Sequence, residues 1–228
     1  MAERGMTEQA EIAGFERLAS RWWDRRGPMA PLHAMNAARV GWIAGRAPAG
    51  ARLLDVGCGA GIAAEAFARK GFRVTGLDAG SALIAAAQAH ADPALGIAYR
   101  AGTTTDLIAE GLRFPVVTAL EVIEHVDDPA GFVLELAQLL EPGGYLFLST
   151  VNRTPASLLT AKIGAEYILR MLPIGTHDWK RFIKPGELGD MLRDAGLRVT
   201  DIAGLAPGLA GWHTVQRPGT NYIIEARA

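Results

Sequence analysis

The sequence predicts an α/β fold built on a mostly parallel sheet. Three observations predict it. Short apolar runs alternate with helical patterns after residue 50, the mark of βαβ units. One run, Leu53-Leu54-Asp55-Val56, passes straight into Gly57-Cys58-Gly59-Ala60-Gly61, and an alanine-rich helix follows. A second run, Val74-Thr75-Gly76-Leu77, ends on Asp78. The pattern predicts strands at 52–56, 73–78, 97–100, 116–121, 144–150, 197–203 and 221–226. It predicts helices at 61–69, 81–90, 129–140 and 185–195. Pro185 suits a first helical turn and Gly196 a helix end. Pro142-Gly143-Gly144 reads as a turn between helix and strand.

Such sheets bind ligands beyond the carboxyl ends of their strands. Gly57, Asp78 and Glu121 all fall at such ends, so they can converge on one crevice. The glycines let a ligand lie against bare backbone. An acid about 20 residues past a glycine turn is where a ribose diol is gripped.

The chain has 228 residues, half of them hydrophobic and about a fifth charged. That predicts one large domain spanning 1–228 with its own core. A net charge of −1 offers no basic field to nucleic acid. The single cysteine excludes an internal disulfide and a cysteine-rich zinc site. Cys58 therefore reads as a small packing residue. The N-terminus has no apolar signal core, and no run of about 18 apolar residues offers a membrane span. A cytoplasmic protein is expected.

Two regions stand outside the alternation. Residues 12–47 read as an N-terminal helical cap around Trp22-Trp23-Asp24. Residues 152–184 read as an insertion. Its stretch 157–172 carries Leu158, Leu159, Ile163, Tyr167, Ile168, Leu169, Met171 and Leu172, and Lys180, Arg181 and Lys184 follow. It is either a plain covering helix, or a lid over a lipophilic substrate or a surface that touches membrane.

Glu121-Val122-Ile123-Glu124-His125 begins at a strand end beside the glycine turn. Two carboxylates and an imidazole in five residues can bind a divalent cation or move a proton. The plainer reading is solvated acids and a loop histidine. His177-Asp178 is a second acid–histidine pair, and Arg39 could hold a carboxylate bidentately.

Dinucleotide turns read G-x-G-x-x-G. Here Asp55 leads a G-x-G-x-G spacing, which resembles the first motif of S-adenosylmethionine-dependent methyltransferases. Further motifs narrow the resemblance: Ser20-Arg21-Trp22-Trp23-Asp24, Pro31-Leu32-His33, the run 121–126, the run from Gly164 to Pro173, Gly175-Thr176-His177-Asp178 and Phe182-Ile183-Lys184-Pro185. Through them the chain resembles the ubiquinone-biosynthesis O-methyltransferases, from about Phe15 to Tyr222.

The resemblance implies a Rossmann-like seven-stranded class I methyltransferase sheet, mostly parallel with an antiparallel last strand. N-terminal helices and a helical lid insertion complete it. It implies methyl transfer to catechol-type hydroxyls of polyprenylated rings at two pathway steps. Cofactor contacts map onto Arg39, Gly57, Asp78 and Leu120, with Asp55 and Gly59 from the same glycine motif. A magnesium or zinc site maps onto Glu121, Glu124 and His125; without metal, His125 becomes the general base. The implied partners are a lipophilic polyprenylated phenol, the inner membrane as a peripheral contact, and other enzymes of the pathway. The rivals are an O-methyltransferase of a soluble phenol and a non-catalytic cofactor-binding scaffold. Two stretches depart from the family pattern. Phe114-Pro115 replaces an aromatic–acid pair, and the glycine-rich segment from Gly204 to Thr220 matches poorly.

Overall fold

The protein is described by a computed structural model covering residues 8–158 and 179–228. Two helices come first, α1 (Glu8–Glu16) and α2 (Ala30–Ala44). Then β1 (Arg52–Val56), α3 (Ile62–Arg69), β2 (Arg73–Asp78), α4 (Ser81–His90), β3 (Ala98–Ala101) and α5 (Thr104–Ala109) alternate. They are followed by β4 (Phe114–Leu120), α6 (Pro129–Gln138) and β5 (Leu140–Val151). Beyond residue 178 lie α7 (Pro185–Asp194), β6 (Arg198–Gly208), β7 (Gly211–Val215) and β8 (Asn221–Arg227).

The strands form one eight-stranded sheet in the order β3-β2-β1-β4-β5-β8-β6-β7. The first five pair in parallel, and β8 runs antiparallel to both β5 and β6. Its central strands are apolar on both faces because both faces are covered. Successive residues feed opposite cores: Leu54, Val117, Leu146 and Leu148 enter one cluster, while Leu53, Val116 and Phe147 enter the other.

Seven strands are expected from the sequence; the eighth is β7, inside the segment that departs from the family pattern. Its glycines explain the departure. A Cβ on Gly204 would lie 2.2 Å from the Arg217 carbonyl oxygen, so the hairpin packs backbone to backbone there. The turn expected at 142–144 is instead an irregularity within β5. Phe114 pairs with Leu140, but Val116 pairs with Tyr145. Pro115 lies at this register shift, and a proline has no N–H to give a ladder. Helix α5 is an addition to the predicted elements; Thr103 and Asp106 close a capping box at its start.

A third cluster, with Leu18, Trp22, Ala60, Ile62 and Leu83, joins the N-terminal cap to α3 and α4. The Trp23 indole N–H donates to the Ala60 carbonyl at 2.9 Å, and its ring stacks on His90 at 3.5 Å. The predicted stretch 157–172, apart from its first two residues, and the His177-Asp178 pair lie outside the described residues.

Candidate active site

The turn between β1 and α3 depends on glycine twice over. Gly57, Gly59 and Gly61 have φ of 66°, 53° and 91°, all left-handed. A Cβ on Gly57 would meet Val122 at 2.4 Å, and one on Gly59 would meet the Trp22 ring at 2.3 Å. Asp78 ties this turn to the end of β2. One carboxylate oxygen accepts the Gly59 N–H at 2.8 Å and the other accepts the Gly80 N–H at 2.8 Å. Burial raises the Asp78 pKa, and these two bonds offset only part of that. Each oxygen keeps a lone pair for a further donor. Gly57, Gly59, Asp78 and Leu120 all line a cavity of about 740 Å³, a usual size for a small-molecule site.

Arg39 and Asp55 lie behind this cavity rather than in its wall. Each is 2% exposed. Thr118 donates its hydroxyl to one Asp55 oxygen at 2.7 Å, while the other oxygen has no partner. Burial lifts the Asp55 pKa to about 7, against the pull of Thr118 and Arg39. Arg39 stands 3.7 Å from Glu121, with Nε and Nη1 unbonded, and burial lowers its pKa despite the acids around it. Charged groups this deep are costly unless paired. Behind the wall, Arg39 balances the charges of Glu121, Asp55 and Glu124.

Glu121 follows β4 with φ of 58°, the one non-glycine residue with positive φ among the described residues. Ser149 donates to one of its oxygens at 2.7 Å, and the Asn221 amide donates to the other at 3.1 Å. Glu124 is buried and accepts the Thr150 hydroxyl at 2.8 Å. Burial, then the Glu121 charge, raises its pKa. His125 Nδ1 lies 2.5 Å from a carboxylate oxygen of Glu11, on α1. Burial lowers the His125 pKa, but the Glu11 bond and the charges of Glu124, Glu11 and Glu121 outweigh it, leaving it raised.

Glu121, Glu124 and His125 are the residues expected from the sequence as metal ligands or proton carriers, and all three line the one cavity. Glu121, Glu124 and His125 are each turned to a different protein partner, and the described residues contain no trio of His, Cys, Asp or Glu arranged to hold a metal ion. One residue of the expected basic tail, Arg181, is paired within the protein. Arg181 donates to Glu11 at 2.9 Å and to Asp127 at 3.1 Å. These bonds tie residue 181 to α1 and to the loop after β4.

Glu121, Glu124 and His125 line the same cavity as the glycine turn, so the structure brings the two predicted constellations together. Glu11, Ser149, Thr150 and Asn221 hold these three side chains, and no local sequence signal marks any of the four.

A model of the methyltransferase domain family matches residues 29–202. The ubiquinone biosynthesis O-methyltransferase of Pseudomonas putida is 52% identical, over 96% of each chain. That of Pseudomonas syringae pv. tomato is 48% identical, again over 96% of each. Among solved structures, a possible histamine N-methyltransferase from Thermotoga maritima matches with a TM-score of 0.69 at 18% identity, covering 95% of this chain and 98% of its own. Magnesium protoporphyrin IX methyltransferase from Synechocystis, with S-adenosylmethionine bound, matches with a TM-score of 0.67 at 18% identity, covering 100% and 99%. At such identity these two speak to the fold alone. The sheet and the glycine crevice are therefore those of a methyltransferase. Within that class, the chain belongs to the ubiquinone biosynthesis O-methyltransferase family.

Proposed function

We propose that this chain moves a methyl group from S-adenosylmethionine to a catechol-type hydroxyl of a polyprenylated ring in ubiquinone biosynthesis. The acceptors are the 2-polyprenyl-6-hydroxyphenol and 3-demethylubiquinol stages. The carrying observation is one cavity lined by Gly57, Gly59 and Asp78 on one side and by Glu121, Glu124 and His125 on the other. Relatives close to 50% identical over nearly the whole chain support the same reaction.

Bound S-adenosylmethionine supplies a methyl group on a sulfonium centre. Asp78 holds the ribose hydroxyls on its free lone pairs, and Arg39 balances the buried acids beneath the turn. A phenol titrates near pH 10 unaided, so the protein must help remove its proton. His125 does this. Glu11 fixes Nδ1, which leaves Nε2 to take the phenol proton. A glutamate is needed to orient the imidazole, and Glu11 has the geometry. The rise in the His125 pKa strengthens it as a base.

Among the described residues no helix is long and apolar enough to cross a membrane. A prenylated acceptor sits in lipid, so contact at the inner-membrane surface belongs to this proposal. The apolar sequence 158–172 is the segment to test, and its deletion should abolish liposome co-sedimentation. The decisive assay is labelled methyl transfer to catechols with and without a prenyl tail. Turnover on the tailed catechol is expected; none on any catechol would leave only a cofactor-binding scaffold.

A further inference from the structure

The β6–β7 hairpin lies outside the βαβ pattern, yet it borders the active-site cavity. β8 begins at Asn221, which pairs with Val151 at the end of β5 and with Leu205 of β6. β6 runs on past that point to Gly208, and β7 returns with Trp212 opposite Pro207. The hairpin therefore overhangs the carboxyl edge of the sheet, where ligands bind. At ~3.4 Å per residue, its β6 arm rises about 10 Å above that edge.

Leu205 of the hairpin is buried in the core, while Trp212 reaches the cavity. Trp212 lines the same cavity as Asp78 and His125, half-buried, and packs against the cluster beneath α2. β7 is the sheet edge opposite β3. Gly102 and Thr103, just after β3, line the cavity at that other end. The cavity thus runs across the sheet, from the side of Asp78 to the side of Trp212. Phe182 and Val151 line it as well. An indole offers a large rigid apolar face at low entropic cost.

We propose that Trp212 determines specificity by packing against the apolar substituent of the acceptor, away from the reacting hydroxyl. This rests on the prenylated-acceptor reading above. The test compares wild type, W212A and W212F in labelled methyl transfer, on a catechol carrying a short prenyl chain and on the bare catechol. Calorimetry with S-adenosylmethionine checks that each variant is folded. Wild type should favour the tailed acceptor in kcat/KM. In W212A that ratio should fall about tenfold, mostly through KM, the scale on which apolar pockets discriminate. W212F should keep most of it. If W212A keeps the wild-type ratio, the proposal is overturned while the acceptor reading stands. If wild type itself ignores the tail, the acceptor reading falls and this proposal with it. Should W212A fail to bind cofactor, W212L replaces it: a lowered ratio supports the proposal, and a wild-type ratio overturns it.

Discussion

On the β1–β2 side the crevice is lined with glycine backbone. On the β4–β5–β8 side it is lined with buried charge. The first side is held by neighbours: Asp78 accepts the N–H of Gly59 and of Gly80, both on the loops it joins. The second side is assembled from distant chain. Glu11 and His125 are 114 positions apart, Arg181 and Glu11 are 170 apart, and Asn221 and Glu121 are 100 apart. A backbone cradle serves a ligand of fixed shape, here the cofactor. A cluster of titratable side chains serves proton transfer, where the charges matter more than the outline.

That contrast can be broken experimentally. The largest effect should come from His125→Ala, which removes the base. Turnover should fall on the order of 10²- to 10⁴-fold while calorimetric cofactor affinity holds. A parallel loss of cofactor affinity would mean the two halves are not separable.

Asp55 tests the charge beneath the turn. Its folded pKa of about 7 lies above the 3.8 of an ordinary aspartate. The folded state therefore holds the proton longer than the unfolded chain, and stability should fall as pH rises from about 4 through about 7. His125, also raised, adds a loss in the same direction at the upper end. Chemical denaturation from pH 4 to 8 should show this slope in the wild type and a shallower one in Asp55→Asn. Equal slopes would show that Asp55 ionises normally.

Asp78→Ala removes a charged acceptor worth about 1.5–3 kcal/mol, so cofactor affinity should weaken roughly 10- to 150-fold. Titration calorimetry finding wild-type affinity would take Asp78 out of the site. The smallest effect should be Ser149→Ala. One hydrogen bond to Glu121 is lost, at a cost of about 1–2 kcal/mol in unfolding free energy. Thermal melts with no change would show that Asn221 and Arg39 suffice to hold that carboxylate.

The same contrast explains what can be read from sequence. The glycine turn, Asp78 and the strands around them are legible because strand, turn and helix are contiguous and each carries its own periodicity. Glu121, Glu124 and His125 are visible as a cluster, but the directions of their side chains are not. Those are decided by Ser149, Thr150 and Glu11, which arrive through the sheet register and the docking of α1. Along the chain the three read as one group, while in space each is bonded to a different partner within the same cavity. The β6–β7 hairpin is illegible for another reason. The sequence pattern ends β6 at 203, β7 has only 5 residues, and the glycines between mimic a loop, although Gly204 is required by close backbone packing.

Cys58, set inside the glycine turn, gives the molecule a built-in clock. It is the only cysteine in the chain, it is buried, and burial together with Asp55 and Asp78 holds its thiol pKa well up. A thiol reagent can reach it only when the turn opens. The rate of labelling therefore counts openings of the cofactor loop one molecule at a time, and a ligand that fastens the loop slows the count.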